Sequence, residues 1–180
     1  LLVAALAKPF MKDAGEVPSG IGESRTGVVI ALDASYSMAH SDGTSTRFER
    51  AIEKIGVITE NIHPGDPVCL VLLGAEQRVL ARNMAFDAVK FDELLSSEQV
   101  RPESLDLDSV PKKLKALAES MEAPQKQIFL VTDMQASDWE EQPAWLGAAF
   151  ENLAESASTT IVPVLGGNEN LAITGLELVS

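Results

Sequence analysis

Val28-Val29-Ile30-Ala31-Leu32 runs without interruption into Asp33-Ala34-Ser35-Tyr36-Ser37. An unbroken β-branched run that ends in a polar turn is the pattern of a strand buried on both faces, as in a parallel sheet covered by helices. Working outward, the same kind of run recurs at Val68–Leu73, at Gln127–Thr132 and at Thr159–Leu165. Helical patterns separate these runs. Thr46-Arg47-Phe48-Glu49 reads as a capping box, and the helix it opens carries an apolar stripe of Phe48, Ile52, Ile55 and Ile62. His63–Pro67 then breaks the chain, and Arg78–Arg82 has the look of a short edge strand. Further helices are expected over 86–96, over 110–122 with Pro111 in the first turn and Leu114, Leu117 and Met121 on one face, and over 140–157 with Leu146, Phe150 and Leu153. Strands alternating with amphipathic helices mean βαβ units: an α/β domain whose parallel sheet has helices on both faces.

Composition narrows the function. The chain has 180 residues and a formal net charge of −13, which disfavours a nucleic-acid surface or an anionic membrane surface, since both need clustered Lys and Arg. Hydrophobic residues make up 46% of the chain, enough for a packed core and too many for intrinsic disorder. The lone Cys69 excludes an internal disulfide and a Cys-based zinc site. Residues 1–10, Leu-Leu-Val-Ala-Ala-Leu-Ala-Lys-Pro-Phe, are too short to span a bilayer, which takes about 20 residues. A continuous Leu/Ala run closed by Lys8-Pro9 nonetheless resembles the place where a membrane helix leaves the hydrocarbon. Residues 11–26 read as a linker, 27–170 as the domain, and 171–180 as the start of a following strand or segment.

In a sheet of this kind, ligands sit beyond the carboxyl ends of the strands. The first strand delivers Asp33, Ser35 and Ser37 there, and the third delivers Thr132-Asp133. Three oxygens from alternate positions of one turn, with a second carboxylate from another direction, suit a hard cation that keeps some of its waters, as Mg²⁺ does. Ordinary composition would place an Asp-x-Ser-x-Ser in roughly one chain of this length in fifteen to twenty, so its position directly after a buried strand carries the weight. The structural alternative is that Asp33 and Ser35 only cap a turn.

The run from Val28 to Met38, with Val131-Thr132-Asp133-Met134-Gln135 later, resembles the von Willebrand factor A domain. That family's metal-ion-dependent adhesion site is built on a first-strand Asp-x-Ser-x-Ser and a later strand-ending Asp. Among its members the chain is most similar to the bacterial Bat, aerotolerance-type membrane proteins, in the Leu1–Pro9 run, in Thr46–Ala51 and in Thr132–Trp139. The resemblance implies a Rossmann-like three-layer α/β/α fold with one short antiparallel edge strand. It also implies Mg²⁺, with Mn²⁺ or Ca²⁺ as alternatives, held directly by Ser35 and Ser37 and through waters by Asp33 and Asp133. A protein partner's acidic side chain would complete the coordination, and the domain would be membrane-anchored on the periplasmic side. The family supplies a further ligand, usually Thr, from the loop before the helix that starts near residue 110, yet no Thr occurs between Thr59 and Thr132. Asp108 falls best by spacing, with Ser104, Asp106 and Ser109 as substitutes, and Asp108 or Ser109 is equally a helix N-cap. Met134 replaces the Gly usual after the second-site Asp.

Other features point to structure. His40 and His63 are isolated in loops, Asp138 and Glu141 form a helix-start pair, and Trp139 and Trp145 suit packing roles. No glycine-rich phosphate loop is present. Two function classes follow. One is a non-enzymatic, metal-dependent binding module. The other is a Mg²⁺-dependent phosphotransferase or hydrolase with Asp33 as nucleophile, which would want a second acid where Ser35 stands. A domain of the same family with a degenerate metal site is the remaining alternative.

Overall fold

Why the decisive run is apolar at every position is clear from its place in the sheet. The computed structural model describes residues 25–135 and 144–164. Their strands are β1 (Thr26–Asp33), β2 (Pro67–Leu73), β3 (Arg78–Ala85), β4 (Gln125–Thr132) and β5 (Ser158–Pro163). Their α-helices are α1 (Arg47–Thr59), α2 (Ala88–Ser96), α3 (Val110–Glu119) and α4 (Ala144–Ser156), with one 3-10 turn at Tyr36–Ala39. The strand order is β3-β2-β1-β4-β5. β1 lies at the centre, parallel to both β2 and β4, β5 is parallel to β4, and β3 is antiparallel to β2.

Side chains of β1 alternate between two cores. Val28, Ile30 and Leu32 join Phe48 and Ile55 of α1 and Phe91 and Leu95 of α2 on one face. Val29 and Ala31 join Leu114 and Leu117 of α3 and Phe150 and Leu153 of α4 on the other. With a core on each face, the positions from Val28 to Leu32 have no water-facing side on which a polar side chain could sit.

Several boundaries differ from the sequence pattern for local reasons. The capping box is formed in full: the Thr46 side chain accepts from the Glu49 amide and the Glu49 side chain accepts from the Thr46 amide. α1 stops at Thr59, so buried Ile62 packs on the core from beyond the helix. α2 starts at Ala88 because the Asp87 side chain caps it, accepting from the Lys90 amide at 3.1 Å. α3 ends at Glu119, with Met121 buried just past its end. β3 continues to Ala85 through a register shift, and within it Asn83 adopts φ 49°. Trp145, expected to pack, is instead half exposed. The expectations for residues 1–10, most of the 11–26 linker, Asp138, Trp139, Glu141 and 171–180 lie outside the described residues. Among the described residues no helix is long and apolar enough to cross a membrane.

Four parallel strands bring their carboxyl ends to one edge, so Asp33, Leu73, Thr132 and Pro163 close the sheet on the same side.

Candidate metal centre

Asp33 is the last residue of β1 and is wholly buried. One carboxylate oxygen accepts from the Ser35 amide at 2.9 Å, and the other accepts from the Thr132 hydroxyl at 2.7 Å. The second bond crosses from the end of β1 to the end of β4. Burial pushes the Asp33 carboxyl above its ordinary range; the bonds from Ser35 and Thr132 oppose the shift, and the nearby Asp133 charge adds to it. A carboxylate held dry beside another carboxylate favours whatever positive charge can reach it.

The turn after Asp33 is fixed by main-chain bonds on several sides. The Ala34 amide donates to the Leu73 carbonyl at 2.9 Å, the Tyr36 amide to the Glu103 carbonyl at 2.8 Å, and the Arg101 amide to the Ala34 carbonyl at 3.0 Å. Met38 is fully buried beneath the 3-10 turn. So anchored, the turn sets the Ser35 and Ser37 hydroxyl oxygens 3.1 Å apart, while the Tyr36 side chain between them is 71% exposed.

From the end of β4, Asp133 extends a side chain that is 1% exposed. One of its oxygens accepts from Nη1 of Arg47 at 2.7 Å, and the other accepts from the Gln135 amide at 3.3 Å. Arg47 is the first residue of α1 and its side chain is only 8% exposed. Met134, which follows Asp133, adopts φ 49°. The left-handed conformation that glycine would take easily is therefore kept by a residue with a Cβ.

All of these groups offer oxygen donors of the type a small hard cation prefers, and the two serine hydroxyls also have the spacing. Adjacent oxygens of an octahedron with bonds of 2.0–2.1 Å lie about 2.9 Å apart, close to the separation of the two serine hydroxyls. The third protein ligand is where the set is thin. Asp108 is exposed in the turn before α3, and among the described residues no three His, Cys, Asp or Glu side chains gather to hold a metal. Ser109 occupies the N-cap position of α3 without a side-chain cap; its hydroxyl donates to the Asp106 carbonyl and accepts from the Gln77 side chain. The segment that touches the motif is instead Arg101–Glu103. A Cβ at Gly74 would lie 2.8 Å from a Glu103 carboxylate oxygen, so the absent side chain leaves room for that carboxylate beside the end of β2.

Arg47 and Glu103 are two charged residues of this region that the sequence pattern did not single out as functional. For Arg47 a signal existed: a cation in the first turn of a helix opposes the helix dipole and wants a reason. For Glu103 there was none, because its position comes from a main-chain bond to Tyr36 some 67 residues away. His63 is exposed, with Nδ1 3.7 Å from Asp66. These two residues line a shallow concavity with Thr26, Asn61 and Gln127, where β1 and β4 begin, at the opposite end of the sheet from Asp33.

A family model described as von Willebrand factor type A domain matches residues 28–135. Among solved structures, BatB from Bacteroides thetaiotaomicron, a conserved hypothetical protein, is similar with 18% identity and a TM-score of 0.63, over 77% of this chain and 66% of that one. An aerotolerance-related membrane protein from Bacteroides fragilis aligns with 18% identity and a TM-score of 0.61, over 83% and 77% of the respective chains. Proximal thread matrix protein 1 from the mussel byssus, with a zinc-occupied MIDAS motif, aligns with 10% identity and a TM-score of 0.58, over 77% of this chain and 35% of its own. No curated protein matches in sequence. The chain thus spans just under two thirds of BatB.

Proposed function

The chain belongs to the von Willebrand factor type A family, and on that premise we propose that it is a metal-ion-dependent protein-interaction domain of a membrane-anchored bacterial protein, acting outside the cytoplasm and not as an enzyme. One observation carries the reading: the Ser35 and Ser37 hydroxyls lie 3.1 Å apart, beside a fully buried Asp33 and on the same sheet edge as Asp133. Asp33, Ser35, Ser37 and Asp133 are the residues that would hold the ion. Mg²⁺ suits this all-oxygen set best, with Mn²⁺ or Ca²⁺ close behind. Once bound, the ion supplies a positive charge with a coordination position that a partner's carboxylate can fill.

The zinc-occupied MIDAS motif of the mussel protein, which shares this fold, supports a divalent ion as the ligand. The aerotolerance-related membrane protein supports placement at a membrane. Against a phosphotransferase stands the state of Asp33. A nucleophile must reach a phosphoryl group, whereas this carboxylate is wholly buried with both oxygens already accepting hydrogen bonds.

The test is recovery of a partner from native membranes by the unmutated domain and by the double variant Ser35→Ala/Ser37→Ala. Recovery by the unmutated domain in Mg²⁺, lost in chelator and lost in the variant, is the expected result. Equal recovery in all conditions would place recognition on another face. The same metal should raise the melting temperature of the unmutated domain, since a ligand at a hundred times its Kd stabilises the folded state by about 2.7 kcal/mol.

A further inference from the structure

We propose that Arg47 is the resident cation of this site: it holds Asp133 when no metal is bound and competes with the metal for that carboxylate. The inference rests on the metal-binding reading above and says what sets the strength of that binding.

The ion pair is short and dry. Nη1 of Arg47 lies 2.7 Å from an Asp133 oxygen, with the two side chains 8% and 1% exposed. Water therefore screens it weakly, and breaking the pair would leave a buried carboxylate without the guanidinium it now faces. The site holds two carboxylates, Asp33 and Asp133, at the ends of the adjacent strands β1 and β4. A guanidinium fixed on one of them supplies in part the positive charge that a divalent ion would bring. The arrangement is built rather than incidental. Arg47 is placed by the Thr46–Glu49 capping box, and its amide donates to the His40 carbonyl at 2.9 Å, so the start of α1 is bonded to the loop that follows the serines. The other Asp133 oxygen accepts from the Gln135 amide, which fixes the carboxylate while Arg47 engages it.

Two cations drawing on one carboxylate are thermodynamically coupled, and the coupling is reciprocal. Whatever Arg47 takes from the metal's affinity, the metal takes from the Arg47–Asp133 pair, typically a factor of about 5–150. Arg47 is thus a positioning residue with two measurable effects of opposite sign: it stabilises the metal-free fold and it weakens metal binding.

The experiment measures Mg²⁺ and Mn²⁺ binding by calorimetry, and melting temperature without metal, for the unmutated chain, Arg47→Gln and Arg47→Lys. Arg47→Gln should bind metal at least about fivefold more tightly and melt lower when metal-free. Arg47→Lys, which keeps the charge and guards against misfolding of the first variant, should fall between the two. Adding Ser35→Ala to Arg47→Gln should abolish the gain, locating it at this site. Metal binding by the unmutated chain that is unchanged or weaker in Arg47→Gln overturns the role of Arg47 and leaves the metal-binding reading intact. Binding by Arg47→Gln alone supports the role of Arg47 and overturns metal binding by the native chain. No binding by any of the three overturns both.

Discussion

At the scale of single residues, the tension in the molecule is concentrated in Asp33. Burial is the main reason its carboxyl is raised, so the folded state holds that proton more tightly than the unfolded chain does. Asp33 therefore favours the fold at low pH. That advantage is lost as pH rises from the unfolded value near 3.9 through the raised native one, and the deficit then stays constant. Without metal, Asp33→Asn should be more stable relative to the unmutated protein at pH 7 than at pH 4, measured by denaturant unfolding at both pH values. The same substitution should erase any metal-induced rise in melting temperature. An Asn variant with the same relative stability at both pH values would show that Asp33 does not titrate on folding. The ligand candidates Asp33, Ser35, Ser37 and Asp133 were legible because strand-end motifs declare themselves in sequence. Asp108 was named by spacing, and the structure places it exposed in the turn before α3, at the end of a loop whose path is set by Tyr36 bonding to Glu103. Arg47 sat in plain view inside a motif that already had another explanation.

At the scale of elements, legibility follows how local the cause is. The start of α1 is encoded within four residues, Thr46 to Glu49, so the sequence specifies it without help from the rest of the chain. β1 was equally clear, because burial on both faces leaves an uninterrupted apolar run. The extent of β3 was not, because it passes through a register shift at which Asn83 takes a left-handed conformation and its amide donates to the Cys69 sulfur at 3.3 Å. That contact pairs residues on two strands and has no local signature. The capping box makes a direct prediction. Thr46→Ala should cost about 1 kcal/mol of stability by denaturant unfolding. It should also loosen the Arg47–Asp133 pair, since the box sets the first turn of α1 from which Arg47 extends. A loss below about 0.3 kcal/mol would mean that tertiary packing alone holds that helix end.

At the scale of the whole molecule, among the described residues both cores draw on side chains between Val28 and Val164, and the expectation is that the fold does not need the first 22 residues. Deleting residues 1–22 should leave a cooperative thermal transition within about 4 °C of the original, the change that about 1 kcal/mol produces in a domain of this size. Aggregation or a larger drop would show that this segment packs on the sheet. The central position of β1 has a further consequence, for the chain's synthesis. Its neighbour on one side, β4, pairs Thr26 with Gln125, so during synthesis β1 waits for a partner about 100 residues behind it. At about 5–20 residues per second, that delay is roughly 5–20 s. During that interval the apolar run Val28–Leu32 has no β4 to cover its edge. Until β4 arrives, that side of β1 is an unpaired apolar edge, the kind of surface on which incomplete chains associate.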